Sequence, residues 1–428
     1  MKLKPYVYLG SVAAAVAVAI GTSLWTKQIQ ADEKRALKAP TYQVDPFWPK
    51  PLPRDPSTGK DWVTGEVAGT CIDSRDHVFI VTRGFQTGGL ISPETLTGIA
   101  SPPVLEFDPD GNLVHAWGDP SLNTVPQGTL GVGTNKVLPH GIHGCYIDYQ
   151  DNLWIAGNGD GIVQKWTRDG RTKLLEIGVK GKCDWPNPPA PTAPFTCGNS
   201  GADATANQSQ TLLNEPANLW VDPANGDVYI ADGYGNHRVV VFDKTGKYLR
   251  QWGGVVTNNG NPEPGKFAAG DGGHPHCVIG GNDGLIYVCG RADDRVQVFT
   301  KQGVLQRIIQ IVPGTGVTNS AYGAPGLGTA GSAWDVAFSK DAFQRFMFDA
   351  DGGNEILWTL DRAGGNIIGG MGRTGHMAGE FTFLHSVSMD SKGNMYTGET
   401  IGGRRIQKFV LCNNDRGRGH GKGNNCNN

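Results

Sequence analysis

The sequence predicts an all-β fold, a six-bladed β-propeller with loop insertions on one face. A strand–turn–strand core recurs six times along the chain and is clearest in Asn218–Phe242, and no stretch beyond the N-terminus has helical periodicity. One four-stranded sheet cannot bury both of its faces alone. Six such units are therefore expected to pack side by side in a closed ring.

Each unit begins with a short apolar run that ends near an acidic residue or its equivalent. A polar turn follows, then a second and a third apolar run, and in several units a fourth run after a turn such as Asp243–Gly246. The predicted first strands are Thr70–Ile72, Cys145–Ile147, Asn218–Val221, Cys277–Ile279, Asp335–Phe338 and Ser386–Met389.

Long Gly/Pro/Asn-rich segments interrupt the repeats, mostly in the first half of the chain. Loops of this kind usually lie on one rim of a propeller, where they either shape a cleft or are tolerated surface insertions. The insertions are Gly84–Pro103, Gly118–Leu138, Gly181–Leu213, Gly254–Gly272 and Pro313–Gly331.

The chain has 428 residues, a formal net charge of -2 and 63 glycines. A near-neutral balance leaves no broad basic face, so nucleic acid is not expected as a partner. The basic residues of Arg416–Lys422 lie in a Gly/Asn-rich segment, 412–428, that is predicted to be a flexible, solvated tail.

The N-terminus has the pattern of a targeting segment. Lys2 and Lys4 precede an apolar stretch that ends near Trp25, and Ala31 closes a passable cleavage site. Residues 1–31 are predicted to be a signal peptide or, alternatively, a membrane anchor, followed by an N-terminal extension over 32–60 and the propeller over 61–411. In both cases the body is exported, to the periplasm or the extracellular space.

Eight cysteines in an exported chain predict disulfides. Cys183 and Cys197 bracket a proline-rich loop and are the first choice of pair, and Cys277 with Cys289 across a hairpin is the second. Cys412 with Cys426 would close the tail. Cys71 and Cys145 fall in first strands, where each can be a buried small hydrophobe.

Histidine recurs at one repeat position in every second unit, five residues before the acidic residue, or its equivalent, at the end of the first apolar run. In a closed ring these three imidazoles would lie about a third of a turn apart and point at the centre. The position is occupied, in chain order, by Ala68, His143, Ala217, His276, Trp334 and His385.

Three neutral imidazoles are a zinc ligand set that leaves a fourth position open for water or substrate. Such a zinc ion acts as a Lewis acid. A single histidine would more often cap a turn or fill a core gap, but three in one register favour a metal site. His140 and His274 are alternatives or neighbours of the ligands, and the register favours His143 and His276 over them.

Three further residues lie where second strands end, on the face that the histidines approach. Arg83 and Arg291 can clamp a carboxylate or stabilise a developing oxyanion. Tyr234 beside a cation can lose its proton and act as a base. Each of the three residues could instead bond backbone carbonyls at a blade tip.

The segment Gly226–Gly253 resembles an NHL repeat. It is similar to the third blade of the peptidyl-α-hydroxyglycine α-amidating lyases, the second enzyme of peptide C-terminal amidation, and the resemblance extends from about Asp73 to Phe409. It implies a six-bladed propeller with a zinc ion on three histidines, in segments that match His143, His276 and His385.

The resemblance also implies roles for the other candidates. The family's catalytic tyrosine lies in a D-G-Y motif, which is Tyr234 here, and its catalytic arginine matches Arg83, while Arg291 matches a further arginine in blade four. Two positions depart from the family. Ser386 stands where the family has an aspartate that binds a structural Ca²⁺, so such an ion here would depend on backbone carbonyls as ligands. Gly235 stands where the family has a cysteine, so the family's disulfides do not carry over.

The resemblance predicts a carbon–nitrogen lyase that releases glyoxylate from an α-hydroxyglycine-type substrate and leaves an amide. We expect a monomer that acts on a small-molecule or peptide substrate, with another carbinolamide or α-hydroxy acid derivative as an alternative substrate. Two other functions remain open. One is a lactonase-like metal hydrolase, although such sites use oxygen ligands. The other is a non-catalytic NHL scaffold that binds a protein or glycan.

Overall fold

The computed structural model confirms the predicted fold: the protein is a six-bladed β-propeller. It describes residues 37–86, 89–118, 138–185, 197, 206–255, 263–268, 274–315, 331–412 and 426. The chain divides into two compact units, Met1–Ala39 and Pro40–Asn428, and every strand described belongs to the second. The leader predicted for 1–31, nearly all of the tail and most of four insertions lie outside the described residues.

Each blade is a four-stranded antiparallel sheet whose first strand lies innermost. Before the ring begins, β1 is Tyr42–Asp45 and β2 is Asp61–Val63. Blade one contains β3 (Val67–Ile72), β4 (Val78–Thr82), β6 (Val104–Phe107) and β7 (Leu113–Trp117), with helix α1 (Ser92–Thr97) and β5 (Gly98–Ala100) inserted after β4.

The middle blades follow the same order without an inserted element among the described residues. Their strands are β8 (Ile142–Ile147), β9 (Leu153–Gly157), β10 (Ile162–Trp166) and β11 (Lys173–Gly178) in blade two, β12 (Pro216–Val221), β13 (Val228–Asp232), β14 (Arg238–Phe242) and β15 (Tyr248–Gly253) in blade three, and β16 (Cys277–Gly280), β17 (Ile286–Gly290), β18 (Arg295–Phe299) and β19 (Leu305–Gln310) in blade four.

The last two blades complete the ring. Their strands are β20 (Asp335–Phe338), β21 (Phe346–Asp351), β22 (Ile356–Asp361) and β23 (Asn366–Met371) in blade five, and β24 (Leu384–Met389), β25 (Met395–Glu399) and β26 (Ile406–Leu411) in blade six.

Blade six takes its outer strand from the other end of the sequence. β1 pairs antiparallel with β26, with Tyr42 opposite Leu411 and Asp45 opposite Lys408. Residues 32–60 were predicted to lie outside the propeller as an N-terminal extension. This is wrong for Tyr42–Asp45, which forms a strand of blade six. The short run of apolar residues was too weak a signal to be read as a strand without its partner.

Apolar side chains fill the spaces between blades. Each of the six hydrophobic clusters draws on two adjacent blades, so the core is a ring of wedges rather than one central mass. Fully burying one such side chain is worth about 1.5–3 kcal/mol. The cluster with Trp48, Phe107 and Tyr396 joins blade six to blade one and closes the ring.

Polar clasps join neighbouring blades at the turns that follow the first strands. The Asp76 carboxylate accepts hydrogen bonds from the Ser391 amide and hydroxyl, both at 2.7 Å. Asp151 accepts the same pair of bonds from Ser74, at 3.0 and 2.6 Å. Both aspartates have positive φ, 64° and 58°, a backbone conformation that aspartate adopts more readily than most other non-glycine residues. The clasps join blade six to blade one and blade one to blade two.

The insertion of blade one contains the helix α1, which the sequence did not predict because six residues are too few to show a helical period. Glu94 caps its own helix by accepting the Ile91 amide at 2.9 Å. Arg404 of blade six donates to the Glu94 carboxylate at 2.7 Å. β5 pairs in parallel with β2, which attaches the same insertion to the segment before blade one.

Four disulfides account for all eight cysteines, and three of them were predicted. The interpretation of Cys71 and Cys145 as unpaired hydrophobes is wrong, because they form the fourth bond and join the inner strands of blades one and two. Their separation of 74 residues hid the pairing, since it depends on how two blades pack.

A buried arginine organises the loop above blade three. Arg238, 1% exposed, donates from Nε to Asp232 at 2.9 Å and lies 3.2 Å from Asp184. Its remaining N–H groups donate to the carbonyl oxygens of Ser209 and Leu212, at 2.8 Å each. The guanidinium thus holds the end of an insertion against the blade that carries Tyr234.

We expect Arg238→Ala to lower the free energy of unfolding by about 3–5 kcal/mol, because Asp232 would be left buried without its cation. Arg54→Ala is the control, since Arg54 forms an ion pair with Asp61 but is 75% exposed, and its loss should cost less than about 1 kcal/mol. Urea unfolding measures both variants. Equal losses would show that the buried network contributes no more than a surface pair.

Candidate metal centre

The three predicted histidines converge at the axis of the ring. His143 and His385 are the second residues of β8 and β24, and His276 immediately precedes β16. All three are nearly inaccessible, between 2% and 4% exposed. Their ring centroids are 4.6 to 4.9 Å apart. The repeat register has therefore brought together side chains that are more than a hundred residues apart in sequence.

Each histidine is oriented by the blade that follows it. The Nδ1 atom of His143 lies 2.8 Å from the carbonyl oxygen of Ala217. His276 makes the same contact with Trp334 at 2.7 Å, and His385 with Ala68 at 2.8 Å. These three acceptors occupy the repeat position of the histidines in the odd-numbered blades, so one register supplies both the imidazoles and their partners.

These contacts fix the tautomer of all three rings. A carbonyl oxygen only accepts hydrogen bonds, so each Nδ1 carries the proton and each Nε2 keeps its lone pair. The ligand nitrogens lie within 4.8 Å of one another. A histidine that donates one ring nitrogen to a carbonyl and offers the other is the usual form of a metal ligand. The group therefore fits a divalent transition metal such as zinc.

Tyr234 lies against the same nitrogens. Its hydroxyl oxygen is 3.0 Å from His143 Nε2 and 3.1 Å from His276 Nε2, and Arg291 donates to it at 3.1 Å. A hydroxyl has one proton and can donate it to only one of these two nitrogens. The centre therefore has more lone pairs than protons to meet them, and a cation would balance this excess.

Two glycines allow Tyr234 to reach the centre. A Cβ at Gly233 would lie 1.8 Å from the carbonyl oxygen of Pro275, so the blade tip can pass the loop leading to His276 only with glycine there. A Cβ at Gly235 would lie 2.2 Å from the Asn214 side chain. The cysteine that the family has at this position would not fit here without a shift of Asn214.

Burial keeps the three imidazoles neutral. Burial first, and then the other two histidines, lower the pKa of His143 well below its usual range. Burial, His385 and Arg291 do the same to the pKa of His276. Burial together with Arg83 and Arg291 lowers the pKa of His385 to about 3. Neutral imidazole is the form that binds a metal.

Arg291 is held by an aromatic face that the sequence did not mark as functional. Its guanidinium carbon lies 4.4 Å from the ring centre of Trp334 and 5.5 Å from that of Tyr234. Trp334 is fully buried and also contacts Phe383 edge-on, with centroids 5.0 Å apart. A signal did exist, because Trp334 occupies the histidine register where the other odd blades have alanine.

Arg83 lies on the blade-one side of the centre. It donates from Nε to the carbonyl oxygen of Ile142 at 2.6 Å and from NH1 to the Glu66 carboxylate at 3.0 Å. Its side chain is 20% exposed, more than any of the three ligands. Arg83 is therefore fixed beside His143 by one carbonyl and one carboxylate, with one edge towards solvent.

The other two candidate histidines, His140 and His274, do not take part in the centre. The His140 amide donates to Asp160 at 2.6 Å, three residues before the ligand. His274 accepts the Ala292 amide on Nδ1 at 3.2 Å. Neither belongs to the group of converging nitrogens. The register argument therefore selected the two histidines that converge.

Below the histidines the axis forms a cavity of about 160 Å³. Asp335 lines it and accepts the amides of Val336 and Val387, each at 3.0 Å, and burial raises the pKa of this carboxyl to about 7. Calcium takes six to eight oxygen ligands. Among the described residues lining this cavity Asp335 is the one carboxylate, which does not fit a calcium site, and we derive none.

A second group with metal-ligand geometry consists of Asp73, His77 and Glu106. Arg168 from blade two donates to both carboxylates and supplies the positive charge that they need. Lys301 of blade four pairs with Asp222 of blade three in the same way. This second group is accordingly an inter-blade ion pair in a repeated position rather than a metal site.

Comparison with known proteins supports the repeat type. Residues 213–242 match the family model of the NHL repeat. The chain is 24% identical over 244 residues to Peptidyl-glycine alpha-amidating monooxygenase of Mus musculus and 24% identical over 283 residues to its form B of Xenopus laevis. These alignments cover 55% and 64% of this chain but 20% and 26% of the relatives, so the chain spans about a quarter of their length or less. The resemblance inferred from Gly226–Gly253 is confirmed.

A third relative matches over most of its length. NHL repeat-containing protein 3 of Homo sapiens is 24% identical over 389 residues, which covers 87% of this chain and 85% of that protein. Among solved structures, a streptogramin B lyase superposes with a TM-score of 0.47 at 11% identity, over 86% of this chain and 98% of the other.

Adding zinc to the metal-free protein should raise its melting temperature, because an ion that binds only the folded state stabilises it by about 2.7 kcal/mol at a hundredfold excess over Kd. His276→Ala should abolish the shift. His77→Ala, in the second group, should keep it. Differential scanning calorimetry with and without zinc measures all three proteins. A shift that survives in His276→Ala and disappears in His77→Ala would move the metal to the second group.

Proposed function

We propose that this protein is a zinc-dependent lyase that cleaves the carbon–nitrogen bond of an α-hydroxyglycine-type substrate to give an amide and glyoxylate. The observation that carries the proposal is the convergence of three buried histidine nitrogens, two of which contact the Tyr234 hydroxyl while Arg291 donates to the same oxygen. The similarity to the amidating monooxygenases supports it.

His143, His276 and His385 would hold the zinc ion, which when bound supplies a Lewis acid for substrate oxygen. Tyr234 is placed to take the proton of the substrate hydroxyl. The Arg291 guanidinium donates to the same phenolic oxygen and so favours its ionised form. As the hydroxyl proton leaves, a carbonyl forms on carbon, the electron pair of the carbon–nitrogen bond passes to nitrogen, and nitrogen takes up a proton to become the amide.

The two arginines would handle negative charge on the substrate. Arg83 lies next to His143 with a solvent-facing edge and would stabilise charge that develops on oxygen. Arg291, face-on to Trp334, presents its N–H edge to the centre and would hold the substrate carboxylate. Both geometries are imposed by neighbouring residues of the protein, so little reorganisation is needed when substrate binds.

We further propose that the protein is exported and acts as a monomer on a small-molecule or peptide substrate. The four disulfides are typical of proteins that fold in an oxidising compartment. No helix among the described residues is long and apolar enough to cross a membrane.

The deciding experiment is an elemental analysis of the purified protein followed by glyoxylate detection with α-hydroxyhippurate. We expect one zinc per chain and turnover in the wild type, and loss of both in His276→Ala. Protein that purifies without zinc and binds none when it is added would instead favour the non-catalytic NHL scaffold. Zinc with hydrolysis of a lactone and no glyoxylate would favour the metal hydrolase.

Tyr234→Phe should keep the zinc content of the wild type and lower kcat by about 10²–10⁴-fold, which is the usual contribution of a positioned acid or base. Tyr149→Phe, with a ring that is 52% exposed, is the matched control and should leave kcat unchanged. Steady-state glyoxylate release measures both. If Tyr234→Phe turned over at the wild-type rate, Tyr234 would not be the base.

A further inference from the structure

The three ligands are not anchored alike. His143 and His385 lie inside six-residue strands, and the residues that precede them, Ile142 and Leu384, are paired with the neighbouring strand. In blade four the inner strand has only four residues and begins after the histidine. His276 therefore lies just before the first paired residue of its sheet.

The residue before His276 is Pro275, which has no amide proton and cannot donate to a neighbouring strand. The pairing of β16 with β17 begins at Cys277. One hydrogen bond remains, from the His276 amide to the carbonyl oxygen of Cys289 at 2.8 Å. Strand ends held by a single bond open more readily than strand interiors.

A disulfide lies at this end of the sheet. Cys277 follows His276 directly and sits opposite Cys289 in the register of β16 and β17, and the two are bonded. Both are buried, at 1% and 0% exposed. The disulfide thus joins the first residue pair of the β16–β17 ladder. In blades two and six the ladder instead begins one residue before the histidine, with the pairs at Ile142 and Leu384.

The same bond reaches the opposite side of the centre. Cys289 is two residues before Arg291, which leaves the sheet just after β17 ends at Gly290. His276 Nε2 and Arg291 NH1 both lie 3.1 Å from the Tyr234 hydroxyl oxygen. The disulfide therefore links the backbone segments that carry His276 and Arg291, whose side chains both contact the Tyr234 hydroxyl.

We infer that Cys277–Cys289 is a positioning crosslink, which replaces the missing strand pairing and holds His276 and Arg291 at their spacing. The inference rests on the proposed function for its effect on zinc and turnover. Its effect on the backbone at His276 does not depend on zinc.

The test compares three variants with the wild type. Cys277→Ala/Cys289→Ala removes the link, and Cys277→Val/Cys289→Val removes it while refilling the space, so that lost packing is separated from the lost bond. The control is Cys412→Ala/Cys426→Ala, because that disulfide spans 14 residues against 12 and so constrains the unfolded chain about equally.

Hydrogen exchange on the metal-free proteins gives the first readout. We expect the His276 amide to exchange at least about tenfold faster in both the Ala and the Val pair, with the segments around His143 and His385 unchanged. The control should exchange at the wild-type rate at all three histidines. Wild-type exchange at His276 in the Val pair would overturn the inference, whatever the wild type does with zinc.

Zinc affinity gives the second readout. We expect both variants that lack Cys277–Cys289 to bind zinc about 10–100-fold more weakly, the usual effect of losing a group that orients a metal ligand. The control should keep wild-type affinity even though it loses similar stability. Equal affinity in all four proteins would mean that the bond stabilises the fold and does not position the centre. A wild type that binds no zinc would instead refute the proposed function, and the exchange data would still decide the backbone claim.

Discussion

The centre of this molecule depends on three hydrogen bonds from imidazole Nδ1 to a backbone carbonyl of the next blade. They involve His143 with Ala217, His276 with Trp334, and His385 with Ala68, all at 2.7–2.8 Å. Each bond sets ring orientation and tautomer at once. Because each acceptor is backbone, the orientation depends on how the blades pack and not on the identity of one further side chain. Apolar clusters pack each of these histidine blades against the blade that carries its carbonyl acceptor.

The fold was predictable because its signal is repeated. Each blade repeats the same strand–turn–strand pattern, so a weak signal in one unit can be recognised by alignment with the other five. The alignment then shows which residue of each unit faces the axis. The repeat register therefore distinguishes His143 from His140, and His276 from His274, on the sequence alone. Tyr234 and Arg291 followed from the same logic, since they end strands that run back to the histidine face. The Tyr234 hydroxyl oxygen lies 3.1 Å from both His276 Nε2 and Arg291 NH1.

Features that occur once were not predictable. The Cys71–Cys145 bond needs two blades to be placed side by side, and the strand Tyr42–Asp45 needs β26 as its partner. Trp334 stands out in the histidine register, but its position beneath the Arg291 guanidinium is visible only in the fold. In each case the missing information is a contact between distant parts of the chain, which local periodicity does not encode. Asp335 shows the same limit, because its burial at the axis depends on blades three, five and six together.

The pairing of β1 with β26 has a consequence for biosynthesis. His385 is the last of the three histidines in sequence, so it is the last to leave the ribosome. Its blade is complete only when β26 pairs with β1 from the other end of the propeller. A nascent chain exposes His143 and His276 long before it can complete the triad. A metal ion that needs all three histidines could bind only after blade six is made, and a polypeptide that ended after five blades would lack His385.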